Sequence, residues 1–120
     1  MPDYPFVTLR VVLGPGTLLG SGKADLLAGI AETGSIAAAS RRMGMSYKRA
    51  WYLIDTLNGY FPAPLVTSSK GGRTGGGAAL TEQGRMVLGV FRRLERNAAA
   101  AIVDDLGDLV ALANEKAAEG

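Results

Sequence analysis

Ser35-Ile36-Ala37-Ala38-Ala39-Ser40-Arg41-Arg42-Met43-Gly44-Met45-Ser46-Tyr47-Lys48-Arg49-Ala50-Trp51 is the stretch that decides the fold. Ser35 is suited to cap a short helix whose inner side is Ile36, Ala39 and Met43, because a serine side chain accepts a bond from an otherwise unpaired N–H of the first turn. Gly44 provides a residue that tolerates positive φ at a sharp turn, and Ser46 caps the helix that follows. At 100° per residue, Ala50, Ile54, Leu57 and Phe61 share one face of that helix, flanked by Trp51 and Leu53, and Lys48, Arg49, Tyr52, Asp55 and Thr56 take the opposite face. Two cations and a hydrogen-bonding aromatic near a helix start have the chemistry that reads base edges in a major groove.

Working outward, Phe61-Pro62-Ala63-Pro64 ends the helix and steers the chain into an extended run, Leu65-Val66-Thr67-Ser68. Ala78-Ala79-Leu80-Thr81 returns beside it. Between them lies Lys70-Gly71-Gly72-Arg73-Thr74-Gly75-Gly76-Gly77, whose glycines let backbone N–H groups approach phosphate while Lys70 and Arg73 add charge. Helix, turn, helix and glycine-rich hairpin, in this order, describe a winged helix-turn-helix. The fold class expected is α+β, mainly α, with an N-terminal β-hairpin and a long C-terminal helix.

The charge distribution follows the same division. The net charge is only +2 over 120 residues. Residues 35–80 carry six cations (Arg41, Arg42, Lys48, Arg49, Lys70, Arg73) against Asp55, a surplus of five, whereas residues 94–120 carry six anions against two cations. The basic part coincides with the helix-turn-helix and wing, as an electrostatic footprint for phosphates requires.

Upstream, Phe6-Val7-Thr8-Leu9-Arg10-Val11-Val12-Leu13 reads as a strand, Gly14-Pro15-Gly16 as a turn and Thr17-Leu18-Leu19 as a return strand. From Lys23, the residues Leu26, Leu27, Ile30 and Ala31 recur at helical spacing until Gly34. The Gly22-Lys23 pair invites a phosphate-loop reading, but Thr17 stands where that motif needs glycine and Ala24 where it needs Ser/Thr. Downstream of Thr81, a single helix of about 30 residues is expected, with a stripe through Met86, Val90, Phe91, Leu94, Ile102, Leu106 and Leu109. So long a helix outruns a small domain, and part of the stripe is expected to meet a second copy of the chain. The division expected is residues 1–81 for the DNA-binding domain and 82–120 for dimerisation.

Other function classes lose ground on composition. Cysteine and histidine are both absent, which leaves no disulfide framework, no thiol or imidazole chemistry and no usual zinc ligands. The acidic Asp104, Asp105 and Asp108 read as a solvated helix face, and no nucleophile–base pair accompanies them. The N-terminus lacks the cationic and apolar regions of a signal peptide, and no apolar run approaches the ~20 residues of a membrane span. A non-enzymatic, cytoplasmic protein without membrane contact or cofactor is expected. The competing reading is a protein-interaction module built on a degenerate winged fold.

In these residues the chain resembles the DNA-binding domain of ModE-type, molybdate-dependent transcription regulators. The resemblance rests on Gly34-Ser35-Ile36, on Ser46-Tyr47-Lys48-Arg49-Ala50-Trp51, on Gly71-Gly72-Arg73-Thr74-Gly75-Gly76-Gly77-Ala78-Ala79-Leu80-Thr81 followed by Gly84, and on Leu13-Gly14-Pro15-Gly16. LysR-type regulators share the winged fold and a Gly-Ser start to the second helix but lack this glycine wing. The resemblance implies a homodimer that binds operators of genes for molybdate uptake or molybdenum enzymes, as a repressor. It also implies molybdate-binding domains after the long helix, which the sequence up to Gly120 does not contain. Molybdate sensing is therefore not carried over, and a constitutive reader or a separate sensor protein is expected. The DNA contacts expected are Ser46, Tyr47, Lys48, Arg49 and Tyr52 in the groove, with Arg41, Arg42, Lys70, Gly71, Gly72, Arg73, Thr74 and Gly75 on the backbone.

Overall fold

The computed structural model describes residues 4–69 and 77–119. An N-terminal hairpin pairs β1 (Arg10–Gly14) with β2 (Thr17–Gly20) antiparallel. Its turn uses Gly16 at φ +73°, in the left-handed region open to glycine. Then come α1 (Ser21–Thr33), α2 (Ile36–Arg42) and α3 (Tyr47–Tyr60). A second hairpin, β3 (Val66–Ser69) with β4 (Gly77–Leu80), runs in register from Val66 opposite Leu80 to Ser69 opposite Gly77. Two helices close the chain, α4 (Glu82–Ala101) and α5 (Val103–Glu119).

One core binds the elements as far as α4. Leu26, Leu27 and Ile30 of α1 meet Ile36 and Ala39 of α2, Ala50, Ile54 and Leu57 of α3, Leu65, Val66 and Leu80 around the second hairpin, and Phe91 of α4. Leu19 seals the side of the first hairpin. Alanine matters here because it permits close approach: a Cβ on Gly29 would stand 3.1 Å from that of Ala39, so α1 and α2 pack nearly backbone to backbone. Polar groups clasp α4 to α1. Arg92 bonds Asp25 and Glu95, each at 2.8 Å, and Ser21 Oγ donates to Glu95 at 3.1 Å. Burial works to lower the Arg92 pKa, but these carboxylates outweigh it and raise it.

Two expectations are corrected. The strand expected from Phe6 begins only at Arg10. Leu9 is held by Ser21, whose Oγ accepts the Leu9 N–H at 3.0 Å and whose N–H donates to the Leu9 carbonyl at 3.0 Å. The segment before Leu9 leaves the hairpin to line a hollow with Ala98, Ile102 and Leu106. The single long helix is two, divided at Ile102, where φ is −104° and ψ 8°. Two consecutive β-branched residues, Ile102-Val103, weaken the helix there. Asp104 and Asp105 then suit a new helix start better than a helix interior.

Candidate nucleic-acid interface

The geometry of the helix-turn-helix begins with its caps. Ser35 Oγ accepts the Ala38 N–H at 3.0 Å and Ser46 Oγ accepts the Arg49 N–H at 3.0 Å, so each helix start satisfies one of its open donors. Gly34 at φ +70° ends α1 and Gly44 at φ +68° makes the turn between α2 and α3, and the Met45 N–H closes that turn onto the Ser40 carbonyl at 3.0 Å.

With Ala50, Ile54 and Leu57 sealed in the core and Trp51, Leu53 and Tyr60 packed partly against it, α3 presents its opposite face outward. Ser46, Tyr47, Lys48, Arg49 and Tyr52 are all exposed, Tyr47 by 54% and Tyr52 by 60%. Grouped with cations on one helix face, these aromatic side chains offer both stacking surface and hydroxyl groups to a partner. Tyr47 packs edge-on against Trp51 with ring centroids 6.3 Å apart, and the Arg49 guanidinium lies 5.4 Å from the Tyr52 ring centroid. Tyr52 thus steadies Arg49, and together with Tyr47 and Lys48 they form a ridge of aromatic and cationic groups along the first two turns. Thr56 turns its hydroxyl back to the Tyr52 carbonyl at 2.8 Å and does not extend the ridge.

Arg41 and Arg42 sit exposed in the last turn of α2, where cations suit the helix dipole. Arg42 is ion-paired with Glu32 of α1. Arg41, Lys48 and Arg49 form no ion pair among the described residues. The expected wing contacts Lys70, Gly71, Gly72, Arg73, Thr74 and Gly75 lie outside the described residues, in the link joining β3 to β4.

The base of that wing is tied to the helices by groups that periodicity does not reveal. Asn58, near the end of α3, accepts the Leu65 and Val66 N–H groups on Oδ1 at 2.8 and 3.1 Å, and its Nδ2 donates to the Val66 carbonyl at 3.3 Å. The Ala78 N–H donates to the Gly34 carbonyl at 3.0 Å. Both strands of the wing are therefore bonded to the helix-turn-helix, one at each end. A polar residue near the end of a helix and just before a Pro-x-Pro turn is the only sequence signal that marks Asn58. Behind α3, Lys23 Nζ donates to Tyr60 Oη at 2.9 Å and to the Leu18 carbonyl at 2.8 Å. The bond from Lys23 lowers the Tyr60 pKa against a smaller opposing effect of burial.

Among the described residues, no cluster of three or more acidic side chains is placed to hold a metal ion. No described helix is long and apolar enough to cross a membrane.

Residues 23–85 match the family described as bacterial regulatory helix-turn-helix protein, lysR family. The chain is 42% identical over 84 residues to the molybdenum-pterin-binding protein MopB of Rhodobacter capsulatus, covering 70% of this chain and 31% of that protein. It is 45% identical over 80 residues to the molybdenum transport protein ModE of Azotobacter vinelandii, covering 67% and 30%. To the DNA-binding transcriptional dual regulator ModE of Escherichia coli K12 it is 34% identical over 84 residues, covering 68% and 32%. The chain thus matches less than a third of the length of these relatives.

Proposed function

The chain belongs to the lysR family of bacterial regulatory helix-turn-helix proteins, and from that premise we propose that it is a sequence-specific transcription regulator of ModE type. It binds double-stranded DNA in the cytoplasm and represses genes for molybdate uptake or molybdenum enzymes. The observation that carries this reading is the exposed ridge of Tyr47, Lys48, Arg49 and Tyr52 on a helix bonded through Asn58 to the base of the wing. One of Arg49 and Lys48 reads guanine from the major groove while the other holds phosphate. Ser46, Tyr47 and Tyr52 face the groove beside them, and Arg41, Arg42, Lys70, Arg73, Thr74 and the wing N–H groups set the position on the backbone.

The working unit in this proposal is a homodimer formed through residues 82–120, while the inner face of α4 stays in the domain core through Phe91. The support is an apolar groove of about 290 Å³ between the first hairpin and α4, lined by Leu13, Met86, Val90 and Leu94. Exposed Leu109 and Leu112 continue the apolar surface on α5. Arg85, Arg93 and Arg96 on α4 are opposite in sign to Asp104, Asp105 and Asp108 on α5, so a two-fold pairing that sets α4 against the partner's α5 is electrostatically favoured.

The test is a mobility-shift titration against a duplex library at two salt concentrations, with and without molybdate. Selective binding to a two-fold-related site supports the regulator. Molybdate that tightens binding locates an oxyanion response in this chain. An affinity that never exceeds the non-specific range of ~10⁻⁴ to 10⁻⁶ M at physiological salt refutes it in favour of a protein-interaction module, to which the same exposed apolar stripe would belong.

A further inference from the structure

We infer that the DNA footprint extends past the helix-turn-helix onto the N-terminal hairpin, with Arg10 of β1 holding a backbone phosphate in a depression beside α3. This rests on the DNA-binding reading above and adds to it a residue outside the helix-turn-helix and wing. The depression, about 460 Å³, lies between the start of α1, the turn before α3 and the first turns of α3. Three cations from three different elements line it: Arg10 from β1, Lys23 from α1 and Arg49 from α3. No carboxylate is among its lining residues.

The charges nearest the depression leave it positive. Asp25 and Glu95 bind Arg92, and Glu32 binds Arg42. Arg10, Lys23 and Arg49 have no ion-pair partner among the described residues. Lys23 is fixed by its bonds to the Leu18 carbonyl and Tyr60 Oη, so it contributes a stationary, uncompensated charge to the wall. Arg10 is exposed and sits opposite Gly20 in the hairpin. It is free to turn its guanidinium into the depression, where a bidentate grip suits phosphate. Arg49 forms the rim shared with the exposed ridge of α3. A duplex whose major groove receives that ridge therefore brings one flanking strand past the depression. The occupant that fits is a phosphodiester: anionic, without need of a base edge, and presented on the strand that borders the groove.

Fluorescence anisotropy with the full chain and the duplex selected by the wild type tests this. Arg10→Ala is expected to weaken the selected duplex and a shuffled duplex by the same factor. The ratio of wild-type to variant affinity is expected to fall about 3.5-fold between about 50 and about 200 mM salt, the consequence of losing one phosphate contact. Arg10→Lys restores most of the affinity. A single neutral methylphosphonate linkage, moved along each strand, is expected to find one position outside the selected bases that weakens the wild type and leaves Arg10→Ala unaffected. A variant that binds like the wild type at both salts, or loses discrimination between the two duplexes, overturns the inference while the regulator reading stands. A wild type that selects no duplex overturns both. Because Arg10 is exposed, an unchanged melting temperature in Arg10→Ala confirms that the change in binding is not a change in folding.

Discussion

Replacing Gly84 with alanine will destabilise the domain, although alanine is the better helix former. Gly84 lies in the first turn of α4, where an added Cβ would stand 2.1 Å from the Leu65 carbonyl oxygen, 3.0 Å from its carbon and 3.2 Å from its Cα. A carbon and an oxygen approach comfortably at about 3.3 Å, so α4 and Leu65 must separate by roughly 1.2 Å. Leu65 cannot give way without loss. Its N–H bonds Asn58, its carbonyl accepts the Thr81 N–H at 2.9 Å, and its side chain is fully buried. Overpacking costs about 1–3 kcal/mol, and each broken hydrogen bond adds about 0.5–1.5 kcal/mol. The gain in helix propensity returns about 1 kcal/mol. The net is about 2–4 kcal/mol of lost stability, a fall in Tm of roughly 10–25 °C for a domain of this size. Urea and thermal unfolding at one fixed protomer concentration measure it. Gly59→Ala is the control, because a Cβ there meets nothing within 4 Å, and it is expected to be neutral or to stabilise by up to about 1 kcal/mol. A Gly84→Ala protein as stable as the wild type would refute the packing argument.

Other perturbations probe separate parts of the account. Asn58→Ala leaves the Leu65 and Val66 N–H groups without their partner and is expected to cost about 2–4 kcal/mol in urea unfolding; a change within about 0.5 kcal/mol would show that the wing base does not depend on it. Arg73→Ala is expected to weaken all duplexes alike and flatten the salt dependence by about one unit, and a loss confined to one sequence would contradict that. Leu94→Glu places a charge on the apolar groove of α4 and is expected to halve the mass seen by sedimentation equilibrium; an unchanged mass would exclude this face from the dimer. Tyr60 ionises below the ordinary tyrosine range because of Lys23. Its folded-state pKa is depressed, so the associated stability is present above the unfolded value near ~10 and is lost as pH falls through the folded pKa. Phenolate absorbance should show Tyr60 titrating later in Lys23→Met than in the wild type.

The helix-turn-helix was legible in the sequence because its signals are local. Ser35 and Ser46 cap within three residues, Gly34 and Gly44 take the positive φ their positions demand, and the inner face of α3 follows simple periodicity. The break at Ile102 was not legible by that route. The Ile102 N–H still reaches the Ala98 carbonyl and the Ile102 carbonyl still accepts the Leu106 N–H, so the apolar stripe keeps its phase through the turn. The early start expected for β1 failed because Ser21, twelve residues on, captures Leu9. Asn58 and Gly84 carry their meaning only once the Phe61–Leu65 link has folded back between α3 and α4. The pairing of Arg42 with Glu32 likewise depends on how α2 packs beside α1. Charge counting treated Arg42 as one more free cation.

The central claim is that the exposed face of α3 reads base edges, and it is tested most directly by repeating the site selection with Arg49→Ala. The account predicts a two-fold-related site for the wild type. For the variant it predicts a loss of about 1–3 kcal/mol on that site and relaxed choice at one base pair of each half-site, with shuffled duplex bound nearly as before. If neither Arg49→Ala nor Lys48→Ala relaxes the choice of site, and each weakens every duplex equally, both cations are phosphate contacts and the claim that this face reads base edges is contradicted.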